Sequence, residues 1–311
     1  MTKRSQYPHA VADGHVHVHE LLDRRAVDHG GRMSARKTVP ARRPIRKPVS
    51  RTPAWVAPAA VVVAIALVVA AFFVVRWYTT PVTPKPLSQD TTAAVVSKIT
   101  GLPASEFNAV GQGTANNLIK PVKGTALTGA TGKPEVLYLG AEYCPYCAAE
   151  RWALIVALGR FGTFSGLQTT TSSPTDIYPN TPTFTFRGAN YTSNYIDFRA
   201  VETSDRDQRP LQRPSASEQE VLSKYDPAGS IPFVDFGNKY AMSGATYSPD
   251  LLVGASWQAI ASELQDQNSA QAKAIVGSAN LVTAAICKTT SDKPASVCSS
   301  PAIQDLEKKL G

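Results

Sequence analysis

The hydrophobic positions of this chain change their period along its length, and each change marks an element. Val56–Val75 (VAPAAVVVAIALVVAAFFVV) has no polar period at all, with twenty residues passing without a charge. A core helix with the same content would show a polar stripe. At 1.5 Å rise per residue such a run spans about 30 Å, the hydrocarbon thickness of a bilayer. Pro58 falls in the first turn, where a missing N–H costs little. Trp55, Trp77 and Tyr78 flank the run, where amphipathic rings settle at a membrane interface. One transmembrane helix is therefore predicted over 55–78, with 56–75 in the hydrocarbon. A cleaved signal peptide has a shorter apolar core and ends in small residues. This run ends in Phe72-Phe73-Val74-Val75-Arg76-Trp77, so an uncleaved anchor is expected.

Beyond it, Pro81, Pro84 and Pro86 make a stiff linker over 79–89, and a mixed α/β pattern fills 90–311. Thr91–Ile99 predicts a short helix stopped by Gly101 and Pro103. Glu135–Gly140 (EVLYLG) is a short apolar run of the kind found in buried strands. Pro145–Leu158 predicts a helix with Cys147, Leu154, Ile155 and Leu158 on one face, closed by Gly159 or Gly162. Thr163–Arg213 is rich in Ser, Thr and Pro, with extended stretches at Thr183–Phe186 and Tyr195–Val201. It reads as an inserted region of short strands and loops. Ser217–Tyr225 predicts a helix ended by Pro227 and Gly229. Ile231–Phe236 and Lys239–Met242 predict a hairpin around Gly237-Asn238. Ser248–Lys288 and Pro301–Leu310 read as a helical C-terminal extension. No internal repeat is visible.

Charge sharpens this division. Residues 1–54 hold twelve Lys/Arg against four Asp/Glu, so the whole formal net charge of +8 resides there and the remainder is balanced. The basic character belongs to a tail, and with Pro40, Pro44, Pro48 and Pro53 in it that tail is expected to be disordered. No basic patch supports nucleic-acid binding elsewhere. The positive-inside bias then predicts a single-pass plasma-membrane protein with residues 1–54 cytoplasmic and 79–311 extracytoplasmic. Met33 is an alternative start, since a basic flank follows it. All five histidines lie in the tail. His15, His17 and His19 would face one side of an extended chain, which suits a transition metal, but a solvated tail is the plainer account of them. No metal centre is expected in the domain.

The four cysteines fall into two pairs. Cys144-Pro145-Tyr146-Cys147 begins the helix that follows the EVLYLG strand. A cysteine there meets free N–H groups and the positive end of the helix dipole, which favour its thiolate. Two intervening residues bring Cys147 within reach to resolve a mixed disulfide. A zinc knuckle would need two more N or S ligands. Residues 79–311 contain no histidine, and only Cys287 and Cys298 remain. Those two are expected to form a structural disulfide, worth on the order of 3 kcal/mol for a loop of that length.

Ala141-Glu142-Tyr143-Cys144-Pro145-Tyr146-Cys147 resembles the active-site stretch of the thioredoxin superfamily, and Ser230-Ile231-Pro232-Phe233-Val234-Asp235-Phe236 resembles its cis-proline strand. The resemblance implies a thioredoxin-like fold with Cys144 attacking, Cys147 resolving and Pro232 facing them. Tyr143, Pro145, Tyr146 and Ile231 would then contact substrate. It also implies no cofactor, protein thiols and disulfides as substrates, and a redox partner that recycles the pair. The region from about 90 to 311 is further similar to an uncharacterised family of membrane-anchored thioredoxin-like proteins from actinobacteria and archaea. Tyr178-Pro179-Asn180-Thr181-Pro182-Thr183-Phe184, Gly229–Tyr240 and Ala279–Cys298 carry that likeness.

Two departures matter. Tyr138 stands where thioredoxins carry a buried acid, leaving water, Glu142 or Glu150 to move the proton of the resolving thiol. Cys147 and Pro232 are separated by 85 positions, far more than in a minimal thioredoxin. Glu142 and Glu150 otherwise read as solvated helix-end charges, and Trp152 and Trp257 as packing residues. The competing function is a non-catalytic binding or assembly module at the cell envelope. The direction of exchange is not written in the sequence.

Overall fold

The computed structural model describes Pro53, residues 55–79 and residues 84–310. The basic segment read over 1–54, its histidines included, lies outside the described residues except for Pro53, as do residues 80–83 of the linker. Taken by itself, α1 (Val56–Thr79) is uncharged as far as Val75 and carries one basic residue, Arg76, in its last turn. Its Pro58–Arg76 stretch has a mean hydropathy of 2.9 and none of it is buried, so by length and composition it is a candidate membrane span.

The remainder is a mixed α/β unit. α2 (Gln89–Thr100) starts at Ser88, whose hydroxyl receives the Thr91 N–H, and α3 (Ala104–Val110) follows Pro103. β1 (Lys120–Pro121) is followed by β2 (Glu135–Gly140) and α4 (Pro145–Leu158). Then come β3 (Gly162–Ser165), β4 (Gln168–Thr171), β5 (Pro182–Thr185), β6 (Asn190–Ser193) and β7 (Asp197–Glu202). α5 (Ala216–Tyr225) opens on a capping box between Ser215 and Glu218. β8 (Phe233–Phe236) and β9 (Tyr240–Ser243) lead through a 3₁₀ turn at Pro249–Leu251 into α6 (Trp257–Glu263), α7 (Ala270–Thr290), α8 (Ala295–Cys298) and α9 (Pro301–Leu310).

β2 is an interior strand, between β8 and β7, in a five-stranded sheet of order β1-β9-β8-β2-β7. It runs parallel to β7, with Gly140 opposite Glu202, and antiparallel to β8, with Leu137 opposite Asp235. Both faces of β2 are covered, which is why its sequence is apolar without alternation. Leu137 and Leu139 share one core with Val201, Phe233 and the α5 residue Val221, while Val136 and Tyr138 join the larger core under α4 and α7. β8 and β9 form the hairpin, and Gly237 (φ 65°) and Asn238 (φ 57°) supply the two positive φ angles of a tight primed turn.

Two expectations change here. Residues 163–213 are not one insertion. β3 pairs with β6 and β4 with β5, but β7 joins the central sheet as the parallel neighbour of β2. A parallel partner is set by the crossover rather than by any local signal, so the run at Tyr195–Val201 did not announce it. In addition, α4 buries far more than one face. Every residue from Cys147 to Leu158 is buried, with α7, β5 and α2 packed around the helix. Ala148, Ala149, Ala153 and Ala157 keep its profile thin enough for that enclosure.

Candidate active site

The end of β2 delivers the Cys144 motif. Thr203 N–H donates to the Gly140 carbonyl at 2.8 Å and Glu142 N–H to the Ser204 carbonyl at 2.9 Å, so the extension of β7 fixes the turn into α4. Cys144 is the N-cap of α4 and Pro145 occupies the first turn, where no N–H is needed. The Cys144 Sγ accepts the Cys147 N–H at 3.3 Å. The two thiols are free, and Cys144 is 7 % exposed while Cys147 is sealed.

Two further segments wall this site. The Ile231–Pro232 peptide bond is cis, and the Ile231 carbonyl lies 4.0 Å from the Cys144 Sγ. The Pro232 carbonyl receives the Gly244 N–H at 2.7 Å. On the other side, Ser173 N–H donates to the Tyr143 carbonyl at 2.9 Å. The Tyr178 ring stands edge-on to Tyr146 with centroids 5.9 Å apart. Tyr146 is 40 % and Ile177 74 % exposed, so the rim presents apolar surface beside Cys144. Tyr143, Cys144, Pro145, Tyr146, Cys147, Ile231 and Pro232 thus gather in one place. Cys287 and Cys298 are bonded to each other at the other end of the sheet. There the nearby Thr289 hydroxyl donates to the Phe236 carbonyl, level with the start of β2.

The thiols experience opposite environments. The Cys144 thiol is lowered to about 7, chiefly by the hydrogen bond from the Cys147 thiol; burial opposes this, and helix N–H groups and the charge of Arg151 assist. Cys147 is pushed well up, first by burial and then by the neighbouring Cys144.

The sequence reading missed the charges beneath the pair. Arg151 and Glu202 are fully buried. The Arg151 Nε and Nη2 donate to the two Glu202 oxygens at 2.8 and 2.7 Å, and Nη2 also donates to the Ala141 carbonyl at 2.8 Å. The guanidinium lies 5.8 Å from the centre of the Tyr138 ring. The only sequence signal was a Glu150-Arg151 pair inside an otherwise apolar helix. Glu150 itself overturns the expectation of a solvated charge. It is fully buried, and its Oε2 accepts the N–H and the hydroxyl of Thr246, each at 3.0 Å. Burial raises it to about 7. Glu142 is half-buried and accepts the Thr185 hydroxyl at 2.6 Å. Trp152 and Trp257 are buried, with their indole N–H groups donating to the Pro182 and Thr183 carbonyls. Among the described residues no cluster of three or more His, Cys, Asp or Glu side chains is placed to hold a metal ion.

A family model described as a domain of unknown function (DUF929) matches residues 122–229 and 217–288, together more than half of the 311 residues. The matched stretch includes Cys144, Cys147 and Pro232. No curated protein and no solved structure matches the chain.

Proposed function

The chain belongs to the family described as a domain of unknown function, DUF929, and since that membership brings no chemistry with it we propose, from the geometry of the free thiols, a thiol–disulfide oxidoreductase. Its domain is read as thioredoxin-like. In support, the motif opens the helix after the interior strand β2, a parallel strand lies on one side of β2 and an antiparallel hairpin on the other. α1 is read as its membrane anchor, with the basic tail inside and the domain in the oxidising exterior. The observation that carries the reading is the contrast within one motif. Cys144 sits at a helix N-terminus with its sulfur accepting the Cys147 N–H and its pKa lowered, while Cys147 is sealed and protonated.

Such a pair works in two steps. The Cys144 thiolate attacks one sulfur of a protein disulfide; a bond forms between those sulfurs, the substrate S–S bond breaks, and the second substrate sulfur leaves as thiolate. Cys147 then attacks Cys144. The Cys144–Cys147 bond forms, the mixed disulfide breaks, and the departing sulfur takes up the Cys147 proton. Two electrons pass to the substrate, and the reverse sequence oxidises a dithiol. A partner of matching potential would reset the pair, and Tyr143, Tyr146 and Ile231 form the rim that a substrate chain would touch, whereas Pro145 is buried.

The test uses the full-length protein in detergent. Cys147→Ser should trap a mixed disulfide with a disulfide-bonded protein through Cys144, and Cys144→Ser should trap none. If Cys147→Ser captures nothing and the wild-type pair does not oxidise reversibly in glutathione buffers, the domain is a binding or assembly module instead.

A further inference from the structure

Resting on that reading of the thiols, we propose that Arg151 is the positioning residue for the resolving step: clamped by Glu202, it holds a fixed positive charge beside Cys147 and takes the place of a proton-accepting acid. Arg151 follows Cys147 by four residues on α4, so the two side chains are neighbours one turn apart. The Ala141 peptide joins them. Its carbonyl accepts from Arg151, and its N–H favours the Cys147 thiolate. The guanidinium is fully buried, and its Nη1 has no hydrogen-bond partner among the described residues. The charge of Arg151 favours the thiolates of both cysteines.

Stability does not explain such a pair. A buried ion pair seldom stabilises a fold more than an apolar pair of the same volume, because desolvation consumes the Coulomb gain. Nor does a free base stand nearby. Glu202 has both oxygens engaged by Arg151. Glu150 is held by Thr246 and Ser278, and Glu142 accepts from Thr185. The remaining titratable neighbours, Tyr138 and Tyr143, are phenols that burial pushes up, the sealed Tyr138 well up. Each carboxylate near Cys147 is thus committed to its own partners, and what the surroundings supply is a fixed charge. During resolution the guanidinium favours the sulfur anion that attacks Cys144, and the Cys147 proton goes to the leaving sulfur or, where that sulfur departs as a stable thiolate, to solvent.

The probe is 5,5′-dithiobis(2-nitrobenzoate), an aromatic disulfide that releases one coloured thiolate when Cys144 attacks and a second when Cys147 resolves. The full-length protein is compared with Arg151→Lys and with the neutral pair Arg151→Gln/Glu202→Gln, which leaves no buried charge unpaired. In the neutral pair the second phase at pH 7 should slow at least tenfold relative to the first, with its pH midpoint about one unit higher, since one pKa unit is a factor of ten. Arg151→Lys should restore the profile even where its melting temperature falls. Should the neutral pair not fold, Arg151→Met/Glu202→Leu carries the same comparison. A folded variant whose second phase keeps the wild-type rate and pH profile within twofold leaves the ion pair merely structural and overturns the proposal. A wild-type protein that releases no first thiolate faster than a free cysteine overturns the redox reading itself, and this inference with it.

Discussion

Cys144 and Cys147 have the same side chain and share one helical turn, yet only one of them is prepared to ionise near neutral pH. The largest cause is the hydrogen bond that the Cys147 thiol gives to the Cys144 sulfur. Alkylation of the reduced protein across pH should therefore modify Cys144 with a midpoint near 7 and leave Cys147 protected. Cys147→Ala removes the donor and should move that midpoint upward, whereas Cys147→Ser keeps an O–H and should move it less. Equal midpoints in the two variants would remove the hydrogen bond as the cause. Glu150 gives a prediction on stability. Its carboxyl is raised from an ordinary 4.5 to about 7 by burial. Between those values the folded state keeps a proton that the unfolded chain has released, so stability falls as pH rises through that window and levels off above it. Glu150→Gln is neutral throughout and should flatten that part of the curve, by at most about 3 kcal/mol above pH 7. Asp235 and Glu307, also raised to about 7, act in the same direction, so the quantity to measure is the difference between variant and wild type in denaturant unfolding at pH 4.5 and pH 8. A difference that does not change with pH would contradict the account.

At the scale of elements, close approach decides more than propensity. Gly277 lies inside α7, where glycine is a poor helix former, because the helix there passes directly against the backbone around Gln112. A Cβ at that position would overlap the Gln112 carbonyl, which is backbone and cannot swing aside. Gly277→Ala should cost about 1–3 kcal/mol through this overlap. Denaturant midpoints would show it, while the Cys144 alkylation profile stays in place. The same contrast explains what could be read from the sequence. The strand EVLYLG, the helix beginning at Pro145 and the turn at Gly237-Asn238 are encoded locally, in apolar runs, an N-terminal proline and residues tolerant of positive φ. The site's rim was legible for the same reason, since most of it flanks those elements. Arg151–Glu202 was not. Glu202 reaches Arg151 only because β7 pairs parallel to β2, and neither the pairing nor the burial of a charge has a local signature. Glu150 failed as a reading because its partners, Thr246 and Ser278, lie 96 and 128 residues away.

For the molecule as a whole, the two cysteine pairs differ in state, one bonded and one free. The Cys287–Cys298 bond ties the end of α7 to α8 and is buried at the opposite end of the sheet from Cys144. Replacing both with Ser should lower stability by about 3 kcal/mol on the chain-entropy estimate for a loop of this length. It should leave the pH dependence of Cys144 alkylation unchanged, because no group of the clip lies in the thiols' surroundings. A shifted Cys144 profile in that variant would mean that the two ends of the sheet are mechanically linked.

The enclosure of α4 has a consequence for how this protein could be retuned. A helix with solvent on one side carries idle positions, where substitutions accumulate without effect. From Cys147 to Leu158 there are none, since every side chain is pressed against another element. Apart from Arg151 itself, the knobs that adjust the two thiols must therefore be mounted elsewhere, on Glu202 of β7 and on the segment of Ser173 that grips Tyr143. A saturation library read out by thiol reactivity should find most of the helix silent, its variants lost to misfolding, with Arg151 the exception. The graded, functional variation should come from residues distant in sequence that frame it.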